Sequence, residues 1–214
     1  VALIGLFELL TIFGRGDLKT EAIKELERLQ ANLSRLQKYP TVDRERLGKL
    51  LQQIEILTDT LRASNMQLGQ YLKDNNFLHG IRQRSTIPGG TCDFDLPDYH
   101  YWLRLPAEQR ISDLENWFQG FDSIRKATEL VLQLIRDSTP STSQVAKKGL
   151  YQQNLDTNIP YQMVRILLPP DTCCFPEISG GKHRFSVRFM DFTIDKQIEP
   201  VEEDIYFDLC CCAI

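Results

Sequence analysis

Histidine, long apolar runs and one-sided charge are all scarce in this sequence. It has three histidines in 214 residues, and none has a partner His or acid at metal-ligand spacing. The opening stretch, Val1 to Phe13, is apolar but too short to cross a bilayer, and it contains Glu8. It has neither a basic n-region nor a small-residue cleavage site, so it does not read as a signal peptide. The chain begins with Val inside a helical pattern, which leads to the expectation that an N-terminal piece is missing. The formal net charge is only −4, so no global field draws nucleic acid, and any anion-binding role needs a local basic patch.

Catalytic signatures are also missing. The one Gly-Lys in a Gly-rich turn is Ser179-Gly180-Gly181-Lys182, which lacks both P-loop spacing and the Ser/Thr after the lysine. The six cysteines are Cys92, Cys173, Cys174, Cys210, Cys211 and Cys212; five sit in vicinal runs, and no C-x-x-C occurs. That is neither a spaced disulfide framework nor a zinc site, and it reads as free thiols in a reducing cytoplasm. Asp93 and Asp95 fall on the same side of a short strand candidate, with His100 nearby. A hydrolase would need these groups to share a deep pocket; a solvated strand face or helix capping accounts for them equally.

What is present is a clear change of period. From Leu18 to Leu36, apolar residues recur at Ile23, Leu26, Leu29, Leu33 and Leu36, a helical stripe. Tyr39-Pro40 ends it, Asp43 can cap a second helix, and a matching stripe runs through Leu47, Leu50, Leu51, Ile54, Leu57 and Leu61. Two such helices joined by a short turn predict an antiparallel hairpin, either projecting or lodged in a bundle. A third helical stretch is expected over 66–83, a short strand near 91–96, and further helices from Pro97 and from Pro106. After Asp137 the pattern alternates: Phe185, Val187 and Phe189 point one way, and Arg184, Ser186 and Arg188 the other. Ile205, Phe207 and Leu209 alternate likewise, and 145–151 and 162–168 are weaker strand candidates. The fold class is therefore α+β: a mainly helical domain over 1–137 with a long antiparallel hairpin, then a small antiparallel β-sheet domain over 138–214.

One local feature rises above background, and it is basic. Arg184 and Arg188 share a strand face, with Lys182 and His183 beside them. Four residues along a strand span roughly 13 Å, which suits two carboxylates of an acidic peptide better than a single phosphate. The plainer alternative is a solvated face paired with local acids.

Three blocks in order resemble the ZapD family of cell-division factors. They are Leu10-Thr11-Ile12-Phe13-Gly14-Arg15-Gly16-Asp17-Leu18-Lys19-Thr20; the block from Ile81 through Pro88-Gly89-Gly90-Thr91-Cys92-Asp93-Phe94-Asp95-Leu96-Pro97 to His100-Tyr101-Trp102; and Phe175-Pro176-Glu177-Ile178-Ser179-Gly180 leading into Lys182-His183-Arg184-Phe185-Ser186-Val187-Arg188-Phe189-Met190. The resemblance implies a non-enzymatic, cofactor-free cytoplasmic homodimer. Such a protein binds the C-terminal tail of the tubulin-like protein FtsZ and bundles its filaments at the midcell division site. It implies a basic tail-binding site made by Arg15, His100, Arg184 and Arg188, to which the residue pattern adds Lys182. From the residues themselves no membrane span is expected, and the overall acidity and the lack of a DNA-reading motif count against a nucleic-acid partner. The alternative reading is a nucleic-acid-binding protein that uses the same Arg/Lys-rich sheet face.

Overall fold

Two aspartates open the longest helices. The computed structural model describes residues 2–15, 17–64, 68–192 and 198–214, and of Arg15 the backbone only. Helix α1 (Ala2–Arg15) precedes α2 (Leu18–Leu36) and α3 (Arg44–Ala63). Asp17 accepts a hydrogen bond from the Thr20 amide, and Asp43 accepts from the Glu45 and Arg46 amides. Each carboxylate thus satisfies amides that a helix start leaves without partners. Leu26, Leu29 and Leu33 of α2 are buried, as are Leu47, Ile54, Leu57 and Leu61 of α3. An ion pair joins Glu27 to Arg62, and Lys19 at the start of α2 donates to the Ser64 carbonyl just after α3. The helices are therefore antiparallel, as the stripes predict. Leu36, at the turn end of the stripe, is exposed.

The expected third helix is two helices. α4 (Gln70–Lys73) and α5 (Asn76–Ser85) are separated at Asp74-Asn75, because the Asn75 side chain accepts from the Leu78 amide and starts a new helix. The beginning of that expectation, at Met66, lies outside the described residues. The short strand expected near 91–96 is a series of turns. There the Asp95 and Leu96 amides donate to the Cys92 carbonyl and the Cys92 amide to that of Gly89, so no ladder is offered to a neighbouring strand. α6 (Pro97–Arg104), α7 (Ala107–Gln119) and α8 (Asp122–Asp137) follow. Pro106 stands one place before α7, as its cap.

The chain divides into two compact units, Val1–Val131 and Leu132–Ile214, so the division falls inside α8. In the second unit, β1 (Thr142–Ala146), β3 (Met163–Leu167) and β7 (Ile205–Cys212) form one antiparallel sheet in the order β1-β7-β3. A second antiparallel sheet has the order β2-β5-β4, from β2 (Leu150–Asn154), β5 (Arg184–Asp191) and β4 (Cys174–Gly180). The two-residue β6 (Glu199–Pro200) pairs with the end of β5. The strand candidate 145–151 is the end of β1 and the start of β2 with a turn between them: Lys148 and Gly149 have φ of 49° and 68°, the signature of a two-residue primed hairpin. Beyond that turn the chain leaves one sheet for the other.

Alternation brings the two sheets together. Phe185, Val187 and Phe189 of β5 and Phe207 and Leu209 of β7 form a buried core with Ala146. The Phe189 and Phe207 rings lie 5.2 Å apart, and Tyr151 meets Phe207 edge-on at the same distance. Each fully buried Phe or Val is worth about 1.5–3 kcal/mol. A one-residue slip of β5 would turn this core to water and bury the arginines instead, so the register that builds the core also presents the site.

Candidate functional site

Strand β5 has an outward row, Arg184, Ser186 and Arg188, in which both arginines are exposed. β2 runs alongside, with Asn154 opposite Arg184, Gln152 opposite Ser186 and Leu150 opposite Arg188. On the other side, β4 places Ser179 opposite Ser186 and Glu177 opposite Arg188. Directly opposed residues share a face, so on the wet face of this sheet Arg184 and Ser186 are flanked by amides and a hydroxyl, and Arg188 by Leu150 and Glu177.

The hairpin joining β4 to β5 supplies the rest. The Gly181 amide donates to the Arg184 carbonyl at 2.9 Å, and the Leu155 amide donates to His183 O at 2.8 Å, so the turn is held from both sides. A Cβ on Gly180 would sit 2.9 Å from that of Phe185, so glycine allows the two strands to approach closely here. Behind the turn lies a cleft of about 720 Å³. Its lining includes Gln152, Asn154, Ser179, Lys182, His183 and Arg184, and no acidic residue. Among the described residues neither Arg184 nor Arg188 has a carboxylate within ion-pair distance, although Glu177 stands across from Arg188 in register.

Sequence-expected residues therefore fall into three groups. Lys182 and Arg184 line one cleft, and Arg188 continues their face along the strand. His100 belongs to the first unit, where its ring is engaged on both sides: Nδ1 lies 2.9 Å from Asp93 Oδ1 and Nε2 2.7 Å from the Thr91 carbonyl. Arg15 ends α1, and its side chain lies outside the described residues. The amides of β2, Gln152, Gln153 and Asn154, are lining residues that sequence reasoning missed. Their polar run is visible in the sequence, but pairing to β5 across some thirty residues is not.

The acidic pair is accounted for locally. Asp95 accepts from the Cys92 thiol at 3.1 Å and pairs with Arg84 at 3.3 Å. The bond to Asp95 is the main reason that the Cys92 thiol titrates above its ordinary range. Asp93 holds His100. These contacts tie the turns over 91–95 to α5 and α6; they do not set up a base beside a nucleophile. Burial pushes the thiols of Cys174, Cys211 and Cys212 up as well, so they are held as thiols rather than reactive thiolates.

Guanidinium, ammonium, amide and hydroxyl groups can hold carboxylates by charge-assisted hydrogen bonds. Fold and face together define a class: an α+β protein whose candidate site is a cationic, carboxylate-accepting sheet face. Comparison with known proteins gives the family. The family described as ZapD, cell division protein, matches over residues 1–188. "Cell division protein ZapD" of Ralstonia pickettii (strain 12J) is 40% identical over 213 residues, covering 99% of this chain and 84% of that protein. The protein of the same name from Aromatoleum aromaticum (strain DSM 19018 / LMG 30748 / EbN1) is 39% identical over 214 residues, covering 100% of this chain and 83% of the relative. That of Escherichia coli O17:K52:H18 (strain UMN026 / ExPEC) is 40% identical over 205 residues, covering 96% and 81%. The chain belongs to the ZapD family of cell division proteins. Among the described residues no helix is long and apolar enough to cross a membrane.

Proposed function

We propose that this chain is a non-catalytic adaptor that binds the C-terminal tail of FtsZ and, as a homodimer in the cytoplasm, cross-links FtsZ filaments at the midcell division site. The observation that carries the reading is the face of Lys182, Arg184 and Arg188. It is exposed, without an ion-pair partner among the described residues, and continuous with a cleft that no acid lines. The FtsZ tail carries acidic and apolar residues, so the cations would steer and hold its carboxylates. Arg15 and His100 join the proposed site through the resemblance of their motifs. A homodimer supplies two tail sites by symmetry, and a filament offers many tails, so avidity makes up for weak single contacts.

The test is pelleting of GTP-assembled FtsZ with this protein, using intact FtsZ and FtsZ without its C-terminal tail. Bundles are expected only with the intact partner. Equal bundling of both, or of neither by the folded protein, rejects the reading. Phosphate is the other anion that such a face accepts, so nucleic acid is the second reading. It requires retention on immobilised DNA at physiological salt despite the net charge of −4.

A further inference from the structure

The first unit holds a second cleft, of about 300 Å³, formed by α1, α4 and α5. Its apolar lining is Phe7, Leu10, Leu72 and Leu78, all buried side chains. Its polar lining is Lys73, His79 and Arg82, and no acidic residue contributes. Arg82 is set in place: it donates to Thr11 Oγ1 at 3.1 Å, and that hydroxyl donates to the Phe7 carbonyl at 2.8 Å. The guanidinium is thereby tied to the helix that supplies the apolar wall. Leu10 packs directly on the backbone of Gly69, where a Cβ would come within 2.6 Å of its Cδ2, so the glycine before α4 lets this leucine seat.

We infer that this cleft is an anchor pocket for an acidic peptide, taking one large apolar side chain while Arg82 pairs with a carboxylate beside it. Apolar lining with cations and no acid asks for an amphipathic anion. The volume is at the small end of the ~300–1,000 Å³ usual for ligand pockets, which suits one side chain better than a long acyl chain. Charge complementarity selects an acid, and the guanidinium of Arg82 can hold a carboxylate beside the apolar wall. The inference rests on the reading of an acidic, apolar tail as partner, and it adds a contact in the helical unit that none of the proposed tail-binding residues Arg15, His100, Lys182, Arg184 and Arg188 marks.

The experiment is a methyl- and amide-resolved NMR titration of this protein with a synthetic peptide of the FtsZ C-terminal tail. The methyl signals of Leu10, Leu72 and Leu78 are expected to shift. A peptide with its apolar residues replaced by serine should lose those shifts, which tests the pocket without altering the protein. Arg82→Glu should weaken peptide binding roughly tenfold. If β5 amides respond to the peptide and the three leucines do not, the anchor pocket is refuted and the proposed function stands. Silence at both places refutes both. Leucine shifts with decanoate but not with the peptide would reassign the cleft to lipids and overturn the inference.

Discussion

The helical hairpin and the wet face of β5 both display cations, but they use them differently. On α2 and α3, Lys24 pairs with Glu21, Arg28 with Glu25, Lys49 with Glu45, and Arg62 with both Glu27 and Asp59. Most of these are neighbours one helical turn apart, so the sequence of the helix itself neutralises them. On β5, Arg184 has Asn154 of β2 beside it and Arg188 has Leu150, and among the described residues neither has an ion pair. Paired charges on a helix mark a solvated face. Unpaired arginines beside a cleft keep their hydrogen-bonding capacity for something else.

The sharpest way to break this contrast is to reverse one unpaired charge. Arg184→Glu or Arg188→Glu should abolish FtsZ bundling and weaken tail binding roughly a hundredfold. The melting curve should stay put, because neither side chain is buried in the core or paired among the described residues. Raising the salt concentration should weaken the wild-type complex in the same direction. Normal bundling by a stable Arg184→Glu protein would remove this face from the site.

A backbone substitution that never touches the face should have the opposite profile. Gly149 has φ of 68°, and a Cβ there would lie 2.3 Å from the Val201 carbonyl oxygen. Its amide donates to Glu203 O, and its carbonyl accepts from the Phe189 amide, so the backbone has nowhere to retreat. Gly149→Ala should cost about 2 kcal/mol or more, read by chemical denaturation. Whatever protein remains folded should still bind the tail. A neutral Gly149→Ala would mean that the turn yields.

That turn also shows where sequence reasoning stopped. The α2–α3 hairpin was legible because its apolar stripes run for five turns and Asp43 is an explicit cap for the second helix; the cap at Asp17 was not read from the sequence. β5 was legible because Phe185, Val187 and Phe189 alternate strictly with Arg184, Ser186 and Arg188. The stretch 145–151 misled because Val145-Ala146 and Leu150-Tyr151 are strand residues of two different strands, while the left-handed backbone at Lys148-Gly149 that separates them leaves no trace in hydropathy. The stretch 91–96 misled because Cys92 to Leu96 alternates too, yet its amides close turns. The cationic half of the site could be read from one strand. Its amide half depended on which strand lies beside β5, and long-range pairing is decided by the whole sheet.

Removing a paired helix cation should do almost nothing. Lys49 and Glu45 meet at 2.6 Å with both side chains largely in water. Lys49→Gln should change stability by less than about 0.5 kcal/mol, since screening and side-chain entropy offset most of the attraction. Bundling should be retained at full strength. Loss of bundling by this variant, with the fold intact, would show that paired charges also serve the partner and would erase the contrast.

The smallest expected effect is a pH dependence carried by an exposed ion pair at the β1–β2 turn. Lys147 and the Lys148 amide both donate to Asp204, and the Lys147 bond chiefly holds that carboxyl below its ordinary value of 3.8. The same bond raises Lys147 above its ordinary 10.5. A depressed acid adds stability above its unfolded value and loses it as pH falls through the folded one. A raised lysine adds stability below its unfolded value and loses it as pH rises through the folded one. Between these limits the pair contributes a constant amount. Melting temperatures of wild type and Asp204→Asn should therefore run parallel near neutrality and converge on the acid side, below the ordinary carboxylate range. A gap that stays constant down to strongly acid pH would show that the charge on Asp204 is not what holds the turn, leaving Gly149 and the hydrogen bonds of its backbone to do so.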